Sequence, residues 1–286
     1  MSYPRYPSIS NIDFVTCDIQ GGLGNQLFMI FATIAYAKQY NKNFWFERKN
    51  NYTGFTVRNS YWDTLLSSLS TNILSEPPNF FNSIYEEPSF NYSLIPNDYD
   101  KLLGYFQSEK YFKTYYRYIM EKLQLYKQRD IILNELQIES FPNRVSLHFR
   151  VGDYIKLQSY HPIQKYDYYY NSLTYLVSKI NNPIHLFCFY EGADINHVEP
   201  SISKLQKSFP SITIIHVPSF NLKDWQELLL MSCCHHHIIA NSSFSWWGAY
   251  INPSNDKIVC YPSTWFGPSA EFNNTIDLCP PEWIKI

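Results

Sequence analysis

No excess of charge of either sign marks this 286-residue sequence: 23 Lys and Arg stand against 25 Asp and Glu, a formal net charge of -2. A global field that would gather nucleic acid or an anionic membrane is therefore absent, and any anionic ligand must be held by local groups. No apolar window reaches the roughly 18 to 20 residues of a membrane helix, and the opening MSYPRYPSISNIDF lacks the apolar stretch of a signal peptide, so a soluble, cytoplasmic protein is expected. The 6 cysteines include no C-x-x-C pair, and several fall in apolar, strand-like runs. That excludes a disulfide framework and predicts small buried thiols. Also missing are the G-x-G-x-x-G and Walker phosphate loops, the G-x-S-x-G nucleophile elbow, internal repeats and low-complexity tracts.

What is present reads as strands alternating with helices. Residues 1 to 11 form an arm with Pro4 and Pro7. Phe14 to Ile19 is a short buried strand running into Gln20-Gly-Gly-Leu-Gly-Asn-Gln26, and the spacing of Leu27, Phe28, Ile30, Phe31 and Ile34 predicts a helix from Leu27 to about Asn41. A strand at Asn43 to Glu47 completes a βαβ unit, which favours a parallel sheet. Residues 50 to 100 show only weak periodicity. Gly104 to Phe112 leads into a long helical pattern through Leu136, and a polar turn at Ser140-Phe-Pro-Asn143 marks a boundary, giving domains at 1–140 and 141–286. Beyond it, strands near 145–150, 184–190, 212–217, 236–240 and 257–261 alternate with helices near 165–180, 202–208, 223–233 and 244–251. Two doubly wound α/β domains face one another, with the ligand cleft between them.

Three stretches carry chemistry. The glycines of Gly21-Gly22-Leu23-Gly24, after a strand and before a helix, suit an anion at a helix N-terminus or simply a tight turn; the amides of Asn25 and Gln26 favour a site. In Val145-Ser-Leu-His-Phe-Arg150, His148 and Arg150 are two apart and share one strand face. Arg150 can fork onto a phosphate and His148 can hydrogen-bond a ribose, base or phosphate. Asp153 orients Arg150, acts as a base, or caps the turn; the residue types leave these open. Asn241, Ser242 and Ser243, ending a buried strand at a helix start, are good caps, but three hydroxyl or amide groups in a row exceed what one cap needs. Cys233-Cys-His-His-His237 has metal-ligand residue types, yet five consecutive side chains diverge and known zinc spacings differ. Asp98-Tyr-Asp100 has the D-x-D form in a polar loop, where a solvated role is expected.

Together, GGLGNQ-F (Gly21 to Phe28), HFRVGDY (His148 to Tyr154) and NSSFSWWGA (Asn241 to Ala249) resemble the α-1,2-fucosyltransferases of glycosyltransferase family 11, in the family's order. Gly104 to Phe112 and Leu230 to Cys233 resemble its intervening segments. The resemblance implies the B-type glycosyltransferase fold of two Rossmann-like domains, with the C-terminal domain holding the donor GDP-fucose and the N-terminal domain facing the acceptor. It implies inverting transfer of fucose to the 2-hydroxyl of a terminal galactose of a glycan, without cofactor or metal. Arg150 then contacts the diphosphate, His148 and Asp153 stand beside it, and Gly22, Gly24, Asn25, Gln26, Asn241, Ser242, Ser243, Phe244 and Ser245 line the donor site. Glu227 is carried over as a guanine contact.

Two departures stand out. The family's second Arg of H-x-R-R is Val151 here, expected to point to the face opposite Arg150. Its Ser-Asp-Asp segment is replaced by Tyr190-Glu-Gly-Ala-Asp194. The alternatives are a transferase of another GDP-sugar, such as GDP-mannose, and a non-catalytic nucleotide- or carbohydrate-binding relative.

Overall fold

The computed structural model describes residues 13–52, 57–76, 78, 81–180 and 183–286; the expected N-terminal arm lies outside the described residues. Two parallel sheets organise the chain. The first holds β1 (Phe14–Cys17), β2 (Asn43–Phe44), β3 (Ile84–Glu86) and β4 (Lys101–Leu103) in the order β2-β1-β4-β3. The second holds β5 (Arg144–His148), β6 (His185–Phe189), β7 (Thr213–His216), β8 (His236–Ile238), β9 (Val259–Tyr261) and β10 (Ile284–Lys285) in the order β7-β6-β5-β8-β9-β10. Numbered within its own sheet that is 3-2-1-4-5-6, the doubly wound nucleotide-binding order. The direction of winding reverses between β5 and β8, which pair in parallel from His236 with Val145 to Ile238 with Leu147. A crevice at that reversal, beyond the carboxyl ends of the strands, is where such sheets bind ligands.

The period-two reading of β5 holds side chain by side chain. Val145 and Leu147, then Phe149 and Val151 beyond the strand's end, join one apolar core with Leu173, Leu176 and Leu186. Ser146 faces the other way, bonded to His237 Nδ1 at 2.8 Å, and His148 and Arg150 continue that face into the cleft. Val151 is thus a core residue.

Helix α1 (Leu23–Gln39) is buried on nearly every side from Leu23 to Ala37, as expected of a helix apolar all round. It begins four residues earlier than the apolar periodicity predicted, because the glycine stretch forms its first turn, with Gly22 as N-cap and Gly21 at φ 75°. The predicted long helix after Phe112 is broken into α2 (Tyr116–Lys122) and α3 (Leu125–Glu135), where Gln124 adopts left-handed φ 53°. In the second half α4 (Tyr166–Val177), α5 (Ile195–Ser208), α6 (Asp224–Ser232) and α7 (Ser243–Ile251) follow their strands. Helix α5 starts seven residues before its predicted start and carries Pro200 within it.

The two halves are joined by aromatic packing. Phe28 and Phe31 of α1 lie with ring centroids 4.5 and 4.4 Å from Trp246 and Trp247 of α7 respectively, and Phe112 stacks on Trp247 at 5.3 Å. Gly24 is what lets the helices approach: a Cβ there would sit 2.4 Å from the backbone carbon of Ser243. This single core runs through α1, α2, α6 and α7.

Candidate active site

A cleft of about 700 Å³ opens at the carboxyl ends of both sheets. Its walls come from the loops after β1, β4, β5, β6 and β8, and from the segment Val57–Tyr61. The N-termini of α1 and α7 meet at its floor through the Gly24–Ser243 contact. Two helix starts converging on one place supply unpaired backbone N–H groups and the positive ends of two dipoles, a ready anion site.

The amides and hydroxyls at this junction are divided between structure and lining. Asn25 Oδ1 accepts from Ser243 Oγ at 2.7 Å and from Gln107 Nε2 at 3.0 Å, tying the two halves together where both residues face the cleft. Ser242 caps α7, accepting from Phe244 N. Asn241 donates to the carbonyls of Pro162 and Trp265, each at 3.0 Å, while its Oδ1 is buried without a partner among the described residues. Gly22, Gly24 and Phe244 line the cleft. Gln26 and Ser245 do not. Gln26 is buried and donates to the carbonyls of Gly21 and Asn59, and Ser245 is buried and bonded to the Ser242 carbonyl.

Arg150 is the most heavily engaged cation of the site. Its Nη1 donates to Glu191 Oε1 at 2.8 Å, its Nη2 to Asp153 Oδ1 at 2.5 Å, and its guanidinium lies 5.2 Å from the Tyr154 ring centroid. Burial favours discharging it, but Asp153, Tyr154 and Glu191 outweigh that, and its pKa is held above the ordinary range. The second oxygen of Asp153 accepts from Arg58 at 2.8 Å. With both oxygens held by guanidinium groups, Asp153 orients Arg150, and the base role left open by the sequence finds no support here.

His148 is buried, and burial, reinforced by Arg150, lowers its pKa to about 3, so the ring is neutral. Its Nδ1 has no partner among the described residues. That nitrogen is itself shut off from solvent, so the ring meets the cleft with its other atoms, and a buried nitrogen left unsatisfied costs stability. Glu227, on α6, also lines the cleft; burial first, then Asp224 and Glu191, raise its pKa to about 7.

Residues outside the predicted set complete the walls. Arg58 and Tyr61 come from the weakly periodic region; Tyr61 donates its hydroxyl to Asp224. Glu191 and Asp194 come from the segment that departs from the family pattern, and Asp194 accepts from the Gly152 N–H at 2.9 Å. That departure was itself the available signal: the segment touches the motif around Arg150 directly.

The Cys-Cys-His-His-His stretch is structural. His235 Nδ1 accepts from Arg144 N, His236 Nδ1 from Ile258 N, and His237 bonds Ser146 and Asn252. Among the described residues no group of three or more His, Cys, Asp or Glu could hold a metal ion.

Comparison with known proteins agrees on the family. The family model described as Glycosyl transferase family 11 matches residues 65–286. An alpha-1,2-colitosyltransferase of Escherichia coli is 27% identical over 302 residues, covering 96% of this chain and 99% of that protein. The O-antigen biosynthesis glycosyltransferase WbnK of Escherichia coli is 28% identical over 193 residues, covering 65% and 60%. Among solved structures, the fucosyltransferase NodZ from Bradyrhizobium aligns with TM-score 0.46 at 11% identity over 85% of this chain and 94% of that one. A mutant of Arabidopsis thaliana FUT1 in complex with GDP aligns with TM-score 0.47 at 10% identity over 94% and 75%. Overlaps this loose have no bearing on substrate or mechanism.

Proposed function

The chain belongs to glycosyl transferase family 11, and from that premise we propose that it transfers L-fucose from GDP-β-L-fucose to the 2-hydroxyl of a terminal galactose, with inversion. The carrying observation is Arg150. It lies at the carboxyl end of β5, beside the winding reversal, where a diphosphate over the two helix starts would meet its guanidinium. In the reaction the acceptor oxygen bonds to the sugar C1 as the C1–O bond to phosphate breaks; the electron pair leaves with GDP, and the acceptor hydroxyl's proton passes to solvent. Negative charge grows on the leaving phosphate, and a fixed cation aimed there stabilises the transition state more than the ground state. His148 is read as part of the nucleotide pocket's wall and Glu227 as the partner of guanine N1–H and the 2-amino group, since both line the same cleft.

A second donor has a specific observation in its favour. The relative spanning 96% of this chain is named an alpha-1,2-colitosyltransferase, and colitose is fucose without its 3-hydroxyl. Transfer assays with GDP-fucose, GDP-colitose and GDP-mannose over a panel of β-galactosides decide among donors. Arg150→Ala is expected to lower kcat by about 100-fold or more, the range seen when one such charge-stabilising donor is removed, with thermal unfolding unchanged. Near-normal turnover in that variant would sink the assignment.

A further inference from the structure

Asp153 is clamped between two cations from opposite halves of the chain. Arg150 Nη2 holds one of its oxygens at 2.5 Å, and Arg58 Nη2 holds the other at 2.8 Å. Arg58 stands on the short hairpin strand Arg58–Asn59 of the first half, whereas Arg150 and Asp153 belong to the second. Adding Glu191 on Arg150 Nη1 gives two guanidinium groups and two carboxylates, a cluster with no net charge.

No member of this cluster is sealed from water: the side chains of Asp153 and Glu191 are 28% and 61% exposed, and those of Arg150 and Arg58 are 19% and 34% exposed. Ion pairs this open to water contribute little stability and exchange readily. A carboxylate lying across two guanidinium forks also occupies the position a phosphate group would take, since the same forks match both anions in geometry. A diphosphate brings at least two negative charges, which Arg150 alone cannot balance and Arg150 with Arg58 can.

Resting on the GDP-sugar reading above, we infer that Arg58 is a second phosphate-binding residue, supplied by the first half of the chain, and that Asp153 keeps its place until the donor's diphosphate displaces it. The roles follow from the displacement. On binding, the two cations transfer from Asp153 to the phosphates. Once the sugar has left, Asp153 competes with GDP for both of them and favours product release. Arg58 also makes donor binding depend on a residue outside the second sheet, so the cleft is completed only when both walls are present.

Calorimetric titration of the intact protein with GDP and with guanosine tests this. Arg58→Ala is expected to weaken GDP binding on the order of tenfold, the loss of one hydrogen bond to a charged group, and to leave guanosine binding unchanged; Arg58→Lys falls between. Asp153→Asn is expected to tighten GDP several-fold, on the order of what removing one nearby competing charge allows. GDP affinity within twofold of wild type in Arg58→Ala, equal losses for GDP and guanosine, or weaker GDP binding in Asp153→Asn would each overturn the inference. Such results would leave Arg58 as a stitch between the halves. Arg150→Ala is titrated in parallel. If it too leaves GDP affinity unchanged, the donor reading fails as a whole; if only the Arg58 variant does, this inference alone fails.

Discussion

Replacing Glu227 by Gln should make the unliganded protein more stable, by an amount that depends on pH. Burial in the cleft wall, with Asp224 and Glu191 adding to it, lifts the Glu227 pKa from 4.5 to about 7. Between those values the folded chain binds a proton that the unfolded chain has released, so stability falls as pH rises through this window and is level above it. At about 1.4 kcal/mol per pH unit the ceiling is about 3 kcal/mol; the side chain is partly open to water, and screening brings the working figure to about 1 to 2 kcal/mol. Gln keeps the shape and has no charge to desolvate. At pH 4.5 and below, wild type and Glu227→Gln should unfold at nearly the same temperature. At pH 8 the variant should unfold about 2 to 8 °C higher, taking about 2 to 4 °C per kcal/mol for large domains. Differential scanning calorimetry of both proteins from pH 4.5 to 8.5 measures it. A difference that is equal at both ends, or that reverses sign, refutes the burial argument. The ligand side has the opposite sign. If guanine pairs with the ionised carboxylate, GDP binding expels the proton, and affinity should decline as pH drops below 7 in wild type but not in the variant. Discrimination between GDP and IDP in Glu227→Ala then reports the base contact directly; unchanged discrimination removes it.

Three further outcomes rest on the packing. Gly24→Ala places a methyl 2.4 Å from the backbone of Ser243, so the helix starts must separate; a loss of about 1 to 3 kcal/mol is expected by chemical denaturation, together with weakened GDP binding, and a wild-type midpoint would contradict the close approach. Trp247→Ala, emptying a side chain with no exposure, should cost about 3 to 5 kcal/mol while unfolding stays a single transition by both fluorescence and circular dichroism; two separated transitions would show that the halves are independent. The thiols should be inert. Five of the six cysteines are buried, and burial raises Cys17 to about 12 and Cys233 to about 11; rapid labelling of more than one by a disulfide reagent at pH 8, without denaturant, would contradict this.

Much of the scaffold was legible because it is written locally. The alternation in Val145–Phe149 gave the strand, its apolar face and the shared face of His148 and Arg150, and each recurs in the structure. Errors fell where local pattern and tertiary setting disagree. Helix α1 has Gly24, a poor helix former, in its first turn because the space against Ser243 admits nothing larger. Helix α5 passes through Pro200, which periodicity treats as a stop. Strand β10 is two residues long and exists through its pairing with β9. The site divides the same way. Arg150 announces itself by motif, but Arg58 sits in a stretch with no period, and only the meeting of two distant segments on Asp153 makes it conspicuous. Gln26 and Ser245 show the converse: polar residues inside a motif that the fold spends on backbone carbonyls.

The seam between α1 and α7 also constrains how the protein is made. Helix α1 leaves the ribosome well before α7, carrying Phe28, Phe31 and other side chains destined for complete burial. Their partners Trp246 and Trp247 lie near the opposite end of the chain. At about 5 to 20 residues per second, the face of α1 that meets α7 must wait many seconds for its partners. The joint between the halves therefore closes only after α7 is translated.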